Sequence, residues 1–369
     1  MNRCTIILLL ILFVLNASSA FNNGEFIRPR ASEDIKKRLA SARDHFSKNP
    51  QKGIASMREV IRYCEENSYD SINLFDAYFE LGILYYRTSA MDSALVAFRS
   101  SKQVAEDNKE LFMLYRSCIG FTRVYSFLGV YDSAEYYTRT GLKYSKGAGY
   151  RRGMANNYNQ LGVLAGHRGE MDTATYYKEK ALELSIEEKD TIGIFSAAYN
   201  LAIHLQGSKE YEKCFKYGLQ ALEIARLSNM YYQMGHANTV ISFTYSTLGD
   251  NEKALEYLQA AYEAHQKSLE KGEVESHVKY LAFTHYKRGA ILNEMDSFDL
   301  ARTYIRKAIL FYDSTQHLES RTDAYAKFSA SYRLSGQYDS ALYYAIIAKN
   351  LGNQSDHIVE KIGGNMALA

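Results

Sequence analysis

Met91-Asp92-Ser93-Ala94, Tyr131-Asp132-Ser133-Ala134, Met171-Asp172-Thr173-Ala174, Tyr211-Glu212-Lys213-Cys214, Asn251-Glu252-Lys253-Ala254, Phe298-Asp299-Leu300-Ala301 and Tyr338-Asp339-Ser340-Ala341 are versions of one tetrapeptide. Their final positions are spaced by 40, 40, 40, 40, 47 and 40 residues, so the chain is an internal repeat. Twelve residues before each final position stands Gly82, Thr122, Gly162, Ala202, Ser242, Gly289 or Ser329. Seven residues after it stands Ser101, Gly141, Ala181, Ala221, Ala261, Ala308 or Ala348. Small residues at fixed offsets, with large apolar ones between, are what closely packed helices require.

Each unit reads as two helices. In the first, Phe75, Tyr78, Leu81, Tyr85 and Tyr86 fall at helical spacing. A turn follows over residues 88–91, and Asp92 is placed to cap the second helix, which continues with Ala94, Leu95, Phe98 and Val104. Gly129, Gly169, Gly249 and Gly336 mark later turns. The chain has two prolines, Pro29 and Pro50, leaving more than 300 residues without a helix breaker. No segment alternates as a strand would. The sequence predicts an all-α chain of tandem helix-turn-helix repeats over residues 32–352, about eight pairs, the first (32–67) degenerate. The extra residues of the 47-residue interval are expected as a lengthened turn near 269–276.

The ends differ from the array. Arg3, the apolar run at 6–15 (IILLLILFVL) and the small residues Ser18 and Ala20 form the pattern of a cleavable secretory signal over 1–20. Ten apolar residues are too few to cross a bilayer, which takes about 20, and no later stretch is long enough. Residues 21–31 read as a leader and 353–369 as a short cap or tail, with one short helix expected over 355–362. The reading is an exported, periplasmic or extracellular protein with no membrane span after signal cleavage.

Composition and motifs narrow the function. A net charge of +2 gives no electrostatic case for nucleic acid. Signal removal leaves Cys64, Cys118 and Cys214, an odd set without metal spacing, read as small buried side chains. The histidines, His204 and His236 included, show no paired spacing for a helical metal site. HExxH, GxSxG, the phosphate-binding loop and the dinucleotide fingerprint are absent from the sequence. No catalysis, cofactor or metal is expected. Of the 32 tyrosines, those in pairs such as Tyr85-Tyr86 and Tyr176-Tyr177 are assigned mainly to packing.

Tyr78, Leu81-Gly82, Tyr85, Ala94 and Phe98, and again Tyr158, Leu161-Gly162, Ala174 and Ala181, resemble the tetratricopeptide repeat. The period is longer than that family's usual one, and the family's terminal proline is missing, as in its longer-repeat bacterial members. The resemblance implies a right-handed α-solenoid whose first helices line a concave groove for a protein or peptide. Carried across by position, the groove residues are Arg116, Arg123, Asn156, Asn159, His167, Tyr199, Asn200, Gln206, His236, Thr239, Phe243, Tyr286 and Asn293. Amides pair with a peptide backbone, arginines with carboxylates, and aromatics supply anchors. An acidic group or C-terminal carboxylate is therefore expected near Arg116 and Arg123. The function implied is a non-catalytic scaffold in the cell envelope; the alternative is a sensory ectodomain signalling to a membrane-bound regulator or kinase. Self-association through terminal repeats fits either.

Overall fold

The structure, a computed structural model, describes residues 32–67, 71–271, 278–315 and 318–354. The expected signal, leader and C-terminal helix, and most of the expected lengthened turn, lie outside these residues. Among the described residues there are sixteen α-helices and no strand. They are α1 (Glu33–Lys48), α2 (Pro50–Glu66), α3 (Ser71–Arg87), α4 (Met91–Asp107), α5 (Leu111–Phe127), α6 (Tyr131–Gly147), α7 (Arg151–His167), α8 (Met171–Glu187), α9 (Thr191–Gly207), α10 (Tyr211–Leu227), α11 (Tyr231–Thr247), α12 (Asn251–Glu270), α13 (Val278–Glu294), α14 (Phe298–Thr315), α15 (Leu318–Leu334) and α16 (Tyr338–Asn353). Odd-numbered helices open a pair and even-numbered helices close it. The chain divides into two compact units, Met1–Ala197 and Ala198–Ala369, each considered separately below.

The repeated small residues are the packing points. Ala94, Ala134, Ala174, Cys214, Ala254, Ala301 and Ala341 are all buried, as are Ser101, Ala181, Ala221, Ala261, Ala308 and Ala348. Phe98 shows why. It is fully buried, and a Cβ added at Gly82 of α3 or Gly120 of α5 would lie 2.5 Å from its ring. One aromatic thus fills the space left by two glycines on successive first helices, at the cost of their low helix propensity. In the first unit Phe75, Phe79, Met113, Phe121 and Val124 complete this cluster, while Ile35, Leu39, Met57 and Leu84 form the core of α1 to α3. In the second unit Ile305, Ile309, Tyr312 and Phe328 pack together on α14 and α15.

Two local expectations change. Asp92 does not cap α4: the N-cap is Ala90, without a side-chain bond, and Asp92 lies in the first turn. Asp132, Asp172 and Glu212 take the same place, where their charge favours the positive end of the helix. Asp250, two residues earlier in its repeat, does cap, accepting from Lys253 N. The turns are also less dependent on glycine than the sequence suggests. Ser89, Lys109, Lys189, Lys209, Asn229 and Asp296 adopt positive φ as Gly129, Gly169 and Gly249 do. After each, an N–H bonds back across the helix end, as Val130 N does to Tyr125 O at 2.9 Å. The insertion before α13 lengthens α12 to 20 residues, against 17 in α10.

Candidate peptide-binding surface

In the first unit, polar residues nominated for ligand contact mainly join one repeat to the next. Arg116 on α5 donates to the Asp76 carboxylate on α3, and its guanidinium lies 4.9 Å and 4.6 Å from the Phe75 and Phe79 ring centroids. Arg116 is therefore not the open carboxylate receptor expected of it, because Asp76, one repeat earlier, supplies that carboxylate. Asn156 Nδ2 is 3.4 Å from Tyr115 Oη, and Gln160 donates to Ser126 Oγ at 3.3 Å, both linking α7 to α5. Asn159 is half-buried beside them, and Arg123 is exposed. His167 sits at the exposed end of α7, stacked on Tyr131 at 5.0 Å with an interplanar angle of 12°.

In the second unit the nominated residues gather with several that the sequence did not single out. Tyr199 on α9 lies 5.9 Å from His236 on α11, ring centroid to ring centroid. His236 meets Tyr232 at 4.4 Å, Tyr280 of α13 at 4.6 Å and His265 of α12 at 5.4 Å. Tyr232 Oη donates to Tyr280 Oη at 3.1 Å. Burial pushes the Tyr199 phenol up to about 12 and raises that of Tyr232, so both stay neutral hydroxyls at physiological pH. His265 is buried under this layer because position 235 is glycine: a Cβ there would stand 2.3 Å from its ring.

A second patch follows on the same first-helix face. Phe243 at the end of α11 is 47% exposed, an apolar ring facing solvent. The Lys287 ammonium of α13 lies 5.0 Å from the Phe243 centroid, 5.2 Å from Phe283 and 5.7 Å from Tyr286. Burial and then the charge of Lys327 on α15 hold the Lys287 ammonium below the usual lysine range. Tyr286 is half-buried, and burial raises its phenol.

The remaining nominated residues serve the helices. Thr239 Oγ1 donates to Gly235 O of its own helix at 2.9 Å, and Gln206 Nε2 lies 3.5 Å from Thr244 Oγ1. Asn200 is half-buried. Asn293 is 7% exposed, and its buried Oδ1 accepts no hydrogen bond, so it belongs to the interior and not to a ligand surface. Asn200, Lys287 and Lys327 occupy one repeat position on the first helices α9, α13 and α15.

Among the described residues no group of three or more His, Cys, Asp or Glu could hold a metal ion, and no helix is long and apolar enough to cross a membrane. Cys64, Cys118 and Cys214 are buried, and burial pushes the Cys118 thiol up to about 12, far from a reactive thiolate.

Helical pairs repeated in this register define a tandem helical-repeat protein of the tetratricopeptide type. Residues 193–267 match the family model described as tetratricopeptide repeat. No curated protein sequence matches significantly. Among solved structures, the apo quorum sensor NprR from B. thuringiensis is similar at 12% identity and a TM-score of 0.62, covering 86% of this chain and 87% of that one. Aspartyl phosphate phosphatase F from Bacillus subtilis is similar at 14% identity and 0.59, covering 92% and 98%. A Rap protein complexed with Competence and Sporulation Factor is similar at 13% and 0.54, covering 92% and 97%. At these identities the likeness is one of fold.

Proposed function

We propose that this chain is a non-catalytic binding module whose ligand is an extended peptide or protein segment lying on the first-helix face of the second unit. The observation that carries this is the succession of Tyr199, Tyr232, His236, Phe243, Tyr280 and Tyr286 on α9, α11 and α13, half-buried or exposed and interleaved with polar groups. Rigid amphipathic rings give a peptide large contact area at small entropic cost. A helical-repeat protein of similar fold solved with Competence and Sporulation Factor bound is consistent with this use. The test is selection from a displayed random peptide library with the wild-type chain and with the Tyr199→Ala/Phe243→Ala variant, its helicity checked by circular dichroism. Sequences enriched by the wild type and lost by a still-helical variant support the reading. Identical enrichment by both, or none by either, overturns it.

The place of action we infer from the first twenty residues is the cell envelope. Export with cleavage after Ala20 gives a mature chain beginning at Phe21, and N-terminal sequencing of the protein from its native cell checks this. A chain that retains Met1 to Ala20 in the cytosolic fraction would refute it.

A further inference from the structure

We propose that Lys287 and Lys327 receive the carboxylate of an aspartate or glutamate side chain within the bound peptide, and that the large apolar residue next to it in the peptide covers Phe243. This rests on the peptide-binding reading above and names the ligand chemistry of one part of that surface. Lys287 stands among three aromatic rings, and neither it nor Lys327 makes an ion pair among the described residues. Asp323 and Glu294 act on Lys287 from beyond ion-pair distance and offset the repulsion only in part, since its ammonium remains destabilised. An ammonium withdrawn from water without a counter-ion is costly. The three ring faces attract it, but a ring cannot accept the charge-assisted hydrogen bonds that a carboxylate can.

The helices supply the geometry. First helices α13 and α15 are direct neighbours, and Lys287 and Lys327 hold the same repeat position on them, 40 residues apart. Burial first, and then the Lys327 charge, disfavour the Lys287 ammonium. An anion between them would relieve that repulsion while binding both. Phe243, on the next first helix, leaves nearly half its surface in water within 5.0 Å of the Lys287 ammonium. The surface therefore presents a cationic centre with an apolar shelf beside it, complementary to an acidic residue adjacent to a large apolar one. Arg116, one of the two arginines expected to take a carboxylate, is already matched by Asp76, whereas neither lysine has an ion-pair partner among the described residues.

The experiment measures retention of three synthetic peptide libraries on the immobilised full chain. All are random except for a central pair: Leu-Glu with an amidated C-terminus, Leu-Gln with an amidated C-terminus, and Leu-Gln with a free C-terminal carboxylate. Wild type, Lys287→Met and Lys327→Met are compared. The expected result is about tenfold stronger retention of the Leu-Glu library than of amidated Leu-Gln. Either substitution abolishes that preference, so that the Leu-Glu and amidated Leu-Gln libraries are retained equally. Lys327 is exposed, so its variant tests the site without disturbing packing. Equal retention of the two amidated libraries overturns the carboxylate site and leaves peptide binding standing. A preference for the free C-terminus alone overturns the assignment to an internal acidic side chain. No retention of any library overturns both readings.

Discussion

Lys178 sits on α8 at the repeat position that Phe98, Leu258 and Ile305 fill with apolar side chains, and it is 4% exposed. Burial alone pulls its ammonium down to about 8. Its folded value thus lies below its unfolded one, so the folded chain resists the proton and gains stability as pH rises from about 8 toward 10.5. Lys178→Met is expected to stabilise the chain at neutral pH by about 3 kcal/mol at most, at roughly 1.4 kcal/mol per pKa unit, and to remove that alkaline gain; urea unfolding at pH 7 and pH 10 checks both. His285 behaves in the same sense in another window. Burial first, then Lys307 and Arg288, lower its imidazole to about 4, and it lies among Tyr262 and Tyr304. Its contribution is complete above pH 6.5 and is lost as pH falls toward 4. Thermal melts of His285→Gln should show a shallower loss of Tm between pH 6.5 and 4.5 than wild type, and parallel curves would show that His285 is not the group responsible.

At the scale of the element, turns and close approaches decide stability. Lys189 holds φ at +51° between α8 and α9, a left-handed conformation that costs a side-chain-bearing residue roughly 1 kcal/mol. Lys189→Gly should therefore raise stability by about 0.5–1 kcal/mol despite the greater freedom of the unfolded chain, measured as a shift in urea midpoint at unchanged slope. Gly235→Ala should act in the opposite direction. The added methyl meets the His265 ring, and overpacking of this kind costs about 1–3 kcal/mol. Because the ring sits beneath Tyr232, His236 and Tyr280, altered tyrosine fluorescence should accompany the loss.

At the scale of the molecule, the contacts within each compact unit run chiefly between helices adjacent in sequence and between successive first helices, so stability is local. Phe98→Ala empties the space between Gly82 and Gly120 in the first unit and should cost about 3–5 kcal/mol. Hydrogen exchange should quicken in α3 to α6 while amides of α13 to α16 keep their wild-type protection. Uniform acceleration along the chain would show cooperative unfolding of the whole array instead.

The sequence by itself determined the helices, the period and the buried small residues, because each repeat must present the same packing points to its neighbours and so writes them at fixed intervals. The resemblance to the tetratricopeptide repeat pointed to the first helices, where Tyr199 and His236 lie in the aromatic layer of the second unit and Phe243 in the patch beside Lys287. Only the tertiary structure decided which polar residues remain open. Arg116 and Lys287 are both cations on first helices, yet Asp76 one repeat away neutralises the first and nothing comparable neutralises the second. Asn156 and Asn293 are both asparagines on first helices, yet Asn156 is exposed and Asn293 is buried. A side chain's partner lies some forty residues off, across a helix interface, and intra-repeat periodicity carries no signal for that pairing.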